Sequence, residues 1–167
     1  MTSRLPRELL FGNPEKSSPK VSPDGKSWAY LAPEEGVLNI WAGPEGAPAS
    51  PLTKDRGRGI RNFLWAEDER SLLYIQDKDG DENWHLYQTE LATGSTRDLT
   101  PAPGAQAQIV GTEPRFPDEI LVALNDRDPR AHDVYRVSLK DGSRRLEATN
   151  PGDVTGWLAD RDFKIGA

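Results

Sequence analysis

The sequence predicts an all-β fold, and three observations carry that prediction. Apolar residues at helical spacing are scarce. Short apolar or alternating runs, separated by Pro, Gly, Asp and Asn, recur along the chain. The recurrence is periodic, with four landmarks returning near the repeat length of β-propeller blades, roughly 40 to 50 residues.

The first landmark is an apolar residue, a polar turn and a strand. It reads Val21-Ser-Pro-Asp-Gly-Lys-Ser-Trp-Ala-Tyr-Leu31, Trp65-Ala-Glu-Asp-Glu-Arg-Ser-Leu-Leu-Tyr-Ile75 and Trp157-Leu-Ala-Asp-Arg-Asp-Phe-Lys-Ile165. Trp65 and Trp157 lie 92 residues apart, two steps of 46, and Phe116-Pro-Asp-Glu-Ile-Leu-Val-Ala-Leu124 between them is the same unit with a shortened turn. The second is a strand ending in an aromatic, Ile40-Trp41, Leu86-Tyr87 and Val134-Tyr135. Third comes a tight turn, Leu91-Ala-Thr-Gly94 and Leu139-Lys-Asp-Gly142, with glycine where a hairpin needs positive φ. The fourth is a closing strand, Pro51-Leu-Thr53, Asp98-Leu-Thr100 and Arg145-Leu-Glu147.

Each period therefore supplies four antiparallel strands. Such units, apolar on both faces, cannot bury themselves alone and must stack sideways around an axis. The sequence predicts a partial β-propeller over residues 1–167. Its three four-stranded blades fall at about 17–53, 60–100 and 105–148, and the first strand of a fourth at 154–158. Closed propellers usually carry four to eight blades, so the ring is expected to be incomplete.

Composition bounds the function. The chain is 35% hydrophobic and 29% charged, with enough aromatic and β-branched residues for a packed core. A net charge of −6 argues against a nucleic-acid partner, because phosphate affinity comes from a dominant basic face. Without cysteine there is neither a disulfide framework nor a thiolate metal site. The first residues have no apolar core of secretory length, and no apolar stretch reaches the roughly 20 residues of a membrane helix. The expectation is a cytoplasmic protein with no membrane partner and no cofactor.

Up-and-down blades sort their loops onto two faces. The Ser-Pro-Asp-Gly and Ala-Thr-Gly turns share one. The other receives Lys54–Arg61, Asp77–Asn83 and Asn125–Asp133, longer and densely charged, and is the expected working surface. Candidate substrate or domain-interface residues are Arg56, Arg58 and Arg61 with Asp77, Asp79, Asp81, Glu82 and Asn83. Forked guanidinium groups suit a peptide carboxylate, while cross-blade ion pairs with the acidic loop are the plainer expectation. Alternating carboxylates could wrap calcium, but the loop lacks the glycine at position six and glutamate at twelve of an EF-hand, so no metal is expected. His85 and His132 have no serine brought to them by the sequence, and the five tryptophans are read as packing between blades.

The stretch Pro6-Arg-Glu-Leu-Leu-Phe-Gly-Asn-Pro-Glu-Lys16 followed by Val21–Lys26 resembles the opening of bacterial prolyl oligopeptidase family members. Asp55–Arg61, Asp77–Trp84 with Leu86-Tyr87, and Arg97-Asp-Leu-Thr-Pro101 resemble its acylaminoacyl and dipeptidyl peptidase branch. The resemblance covers essentially the whole chain. It implies a seven-bladed propeller capping an α/β-hydrolase domain of a serine peptidase and filtering short peptide substrates. The nucleophile elbow of such a domain, G-x-S-x-G, is absent from this sequence, so no catalytic residue is carried over. The leading expectation is a non-catalytic gating portion whose partner is that hydrolase domain. The alternative is a stand-alone binding or scaffold module that self-associates to complete its ring.

Overall fold

The computed structural model describes residues 15–167, so most of the Pro6–Lys16 motif lies outside the described residues. Three four-stranded antiparallel sheets follow one another, each with its strands paired in chain order. The first holds β1 (Ser17–Val21), β2 (Ser27–Glu34), β3 (Val37–Pro44) and β4 (Ser50–Pro51). The second holds β5 (Leu64–Trp65), β6 (Ser71–Gln76), β7 (His85–Glu90) and β8 (Thr96–Asp98), and the third β9 (Ala107–Gly111), β10 (Glu119–Asp128), β11 (Ala131–Ser138) and β12 (Arg144–Ala148). A hairpin of β13 (Leu158–Ala159) and β14 (Ile165–Gly166) ends the chain, and no helix occurs among the described residues. This is a partial β-propeller.

Turn chemistry closes the hairpins. Between β2 and β3, Glu35 and Gly36 both take positive φ, +51° and +85°, the twist that suits a two-residue hairpin. The aspartate of the first landmark works by a different device. Asp68 Oδ1 accepts the amides of Arg70 and Ser71 at 2.9 Å, and Asp160 Oδ1 those of Asp162 and Lys164 at 2.8 and 2.9 Å. Asp24 accepts the Lys26 amide at 3.1 Å in the same place. A short carboxylate bonding the backbone two residues on is the Asx turn, which explains why Asp recurs there.

The sheets bury both faces because alternate residues of each strand point to opposite neighbours. In β6, Leu72 and Tyr74 pack toward Ala29, Leu31 and Ile40 of the first blade, together with Phe63 of the connector and Trp65 of β5. Leu73 of the same strand packs the other way with Leu86 and Leu99, against Ile120, Val122 and Leu124 of β10. Leu121 and Val134 turn toward the terminal hairpin, where they meet Phe163. The core is thus a series of layers between blades, each made by two sheets.

Three local expectations differ from the structure. The strand expected at 154–158 begins at Leu158, because Asn150 folds the preceding segment into a turn: its Oδ1 accepts Gly152 and Val154 amides and its Nδ2 donates to Val154 O. That strand also returns as a hairpin. Asn125–Asp133 is mostly strand, since β10 runs to Asp128 and β11 restarts at Ala131. Finally, only some tryptophans bridge blades. Trp65 Nε1 donates to Lys20 O (3.4 Å) and Trp157 Nε1 to His132 O (2.7 Å), whereas Trp28 and Trp41 flank Tyr30 in a stacked row within the first blade.

Candidate functional site

The face carrying the longer connections is built around a buried asparagine. Asn39, the third residue of β3, whose aromatic Trp41 lies in mid-strand because the strand runs on to Pro44, is fully buried. Its Oδ1 accepts the Thr53 hydroxyl (2.9 Å) and the Asp55 amide (2.7 Å), while its Nδ2 donates to Val37 O and Asp55 O. Asp55 then closes the next turn by accepting the Gly59 amide at 2.6 Å. Ile60 and Phe63 anchor the far end in the interblade core. The connector from blade one to blade two is therefore fixed at both ends, and its arginines project from a rigid base.

The three arginines have three different fates. Arg58 reaches across to Asp77 in the second blade, Nη1 to Oδ2 at 2.8 Å. The carboxylate of Asp77 is nearly fully buried, 2% exposed, and the Arg58 side chain is 40% exposed. Gly80 lets the guanidinium in, because a Cβ at that position would stand 2.9 Å from Arg58 Nη1. Arg56 pairs instead with Glu35 at 3.3 Å, within its own blade's side of the face. Arg61 is exposed and makes no ion pair among the described residues.

The acidic loop holds its own shape. Asp81 accepts the amides of Lys78 and Asn83 and the Asn83 side-chain amide, at 3.0 to 3.2 Å. Hydrogen bonds from Asn83 hold the Asp81 carboxyl below its ordinary value. The Glu82 amide donates to Asp77 Oδ2 (3.3 Å), and its carbonyl accepts from Nε2 of Gln106 in the third blade (2.9 Å). Asp79, Gly80 and Glu82 all take positive φ. The carboxylates thus diverge, Asp77 toward Arg58 and Asp81 into its own turn, and no metal-holding cluster of three His, Asp or Glu occurs among the described residues. The site joins three blades through Arg58–Asp77 and Glu82–Gln106, and a small cavity of about 130 Å³ is lined by Asn62, Phe63, Leu64, Tyr74, Ile75 and Ile109.

Several features escaped the sequence reading. His85 bonds Asp98 through Nδ1 at 2.7 Å and stacks on Tyr87, with no serine hydroxyl among its contacts. Thr53 and Thr100 accept the buried amides of Ile40 and Leu86, both at 2.9 Å. Asp133, fully buried, takes a two-pronged bond from Arg127 and the Asn150 amide (2.7 Å) in the third blade. The recurring Leu-Thr of the fourth landmark was the available signal for the threonines. A larger groove, about 560 Å³, lies on the opposite face between Pro23, Glu67, Asp68, Pro114, Pro117 and Asp118.

Comparison with known proteins agrees with this architecture. No family model matches the chain. It is 43% identical to dipeptidyl aminopeptidase BIII of Pseudoxanthomonas mexicana over 98% of its residues, and 30% identical to dipeptidyl peptidase family member 6 of Caenorhabditis elegans over 87%. The chain spans 24% and 21% of the length of those two proteins. Among solved structures, the acylaminoacyl peptidase of Pyrococcus horikoshii superposes with a TM-score of 0.59 at 18% identity, covering 87% of this chain and 26% of that one. The β-propeller domain of the trilobed protease from Pyrococcus furiosus gives 0.58 at 20% identity, covering 87% and 46%. At these identities the structural likeness speaks for the blade fold, and the sequence likeness for the peptidase resemblance.

Proposed function

We propose, from the likeness of almost the whole chain to part of a dipeptidyl aminopeptidase, that it is the propeller portion of a prolyl oligopeptidase family serine peptidase acting on short peptides. The observation that carries this reading is 43% identity sustained along 98% of the chain. Its role is to shield and gate the active site of an α/β-hydrolase domain, which supplies the serine, acid and histidine. The charged face with Arg58, Asp77 and Arg61 is the side assigned to substrate or to that domain. A guanidinium such as that of Arg61, exposed and without an ion pair among the described residues, suits a peptide carboxylate.

The reading is tested by incubating the purified chain with dipeptidyl and acyl-amino-acid chromogenic substrates. The expected result is no turnover, and hydrolysis blocked by a serine reagent would overturn it. Light scattering on the same sample addresses the second reading, a module that completes its ring by self-association. Leu158 at 74% and Val21 at 64% exposure, near opposite ends of the blade series, favour that reading. A monomer at high concentration would remove it.

A further inference from the structure

The sequence contains three Asp-Gly pairs, Asp24-Gly25, Asp79-Gly80 and Asp141-Gly142, all in turns between strands. Asp-Gly is the dipeptide most open to one intramolecular reaction, because glycine has no side chain to keep its amide nitrogen from the preceding carboxyl. The nitrogen attacks the aspartate side-chain carbon, an N–C bond forms, and the carboxyl oxygen leaves as water to give a succinimide. Water then enters at one of the two ring carbonyls and breaks one N–C bond. One opening restores aspartate, and the other leaves isoaspartate with an extra methylene in the backbone.

Two of the three pairs are locked against this reaction. Asp24 accepts the Ser22 hydroxyl at 2.7 Å and the Lys26 amide at 3.1 Å and faces Lys26 Nζ, while the Gly25 amide donates to Ser22 O at 2.9 Å. Asp141 accepts the amide and hydroxyl of Ser143 at 2.9 and 2.7 Å, and the Gly142 amide donates to Ser138 O at 2.9 Å. In both, electrophile and nucleophile are already held by other groups. These bonds also hold both carboxyls at about 2, away from the neutral acid that loses water most readily.

The third pair differs at both reacting atoms. Asp79 and Gly80 are exposed. Among the described residues, no hydrogen bond or ion pair reaches the Asp79 carboxylate, and the Gly80 amide has no acceptor. We propose that Asp79-Gly80 is a modification site, the one Asp-Gly pair of the folded chain that converts to isoaspartate, and so the place where a carboxyl methyltransferase acting on isoaspartyl residues would meet this protein. The consequence is local. A Cβ at Gly80 would stand 2.9 Å from Arg58 Nη1, so an added backbone methylene one residue earlier shifts the loop against the guanidinium that pairs with Asp77.

The test is to age the folded chain in mildly acidic to neutral buffer. Isoaspartate is then quantified in each of the three peptides by peptide mapping and by isoaspartyl methyltransferase labelling, with a urea-unfolded sample alongside. The expected result is conversion at Asp79 at least about tenfold faster than at Asp24 or Asp141, the factor that two or more hydrogen bonds on a carboxylate impose. That preference should vanish in urea, and Asp79→Glu should lose the label while remaining folded. Equal conversion at all three sites of the folded chain would overturn the proposal. So would a preference for Asp79 that persists unchanged in urea, since local sequence rather than the fold would then set it.

Discussion

Arg58, Arg56 and Arg61 stand two and three residues apart on one connector, and the sequence presents them as equivalents. The fold separates them by the environment of the partner. Asp77 is buried and Glu35 is exposed, so loss of Arg58 leaves an uncompensated carboxylate in a poorly solvated place, and loss of Arg56 does not. Arg58→Met is expected to lower unfolding free energy by about 1–2 kcal/mol, discounted for the partial exposure of the guanidinium. Arg56→Met should stay within about 0.5 kcal/mol. Urea unfolding of both variants, at unchanged slope, measures the difference. The ion pairing of this face was legible as a class, from opposite charges on loops that share a side. Which arginine meets the acidic loop was not, because the turns closed by Asn39 and Asp55 set where Arg58 stands relative to Asp77, a property of backbone position rather than of charge pattern.

At the level of the strand, the repeat was legible because turn chemistry and two-sided apolar runs are local signals. Leu72 and Leu73 are adjacent and both fully buried, as a sheet packed on each face requires. The roles of Thr53 and Thr100 were not legible. Each hydroxyl takes an amide that the short outer strand fails to pair, and where β4 and β8 stop depends on register. Thr100→Val keeps the shape and removes the acceptor, leaving the Leu86 amide buried without a partner. It is expected to cost about 1–3 kcal/mol in a denaturant titration, with Thr100→Ser close to the parent. The fourth-blade hairpin shows the opposite limit. The expected strand over 154–158 placed Trp157 inside it, whereas a side chain seven residues upstream, Asn150, folds the preceding segment into a turn and the strand begins at Leu158.

Over the whole molecule, aspartates in the tight turns tie stability to pH. Asp24, Asp128 and Asp141 are held at about 2 against an ordinary 3.8, chiefly by the Ser22 hydroxyl, the Arg130 side chain and the Ser143 hydroxyl. A carboxyl whose folded value is depressed stabilises the fold above its unfolded value and ceases to do so as pH falls through the folded one. In thermal melts, the contribution of these three carboxyls to stability should therefore be constant through neutral pH and decline between about 3.8 and about 2. Replacing Ser22 and Ser143 by alanine should shrink that decline, since the groups that depress Asp24 and Asp141 are gone.

The alternation of Leu72 with Leu73 has a further reach. Because neighbouring residues of one strand serve different interfaces, the second sheet is clamped between the first and the third, and the third between the second and the terminal hairpin. Within the second sheet, backbone amides of the inner strands β6 and β7 then trade hydrogen with solvent later than those of the short outer strands β5 and β8.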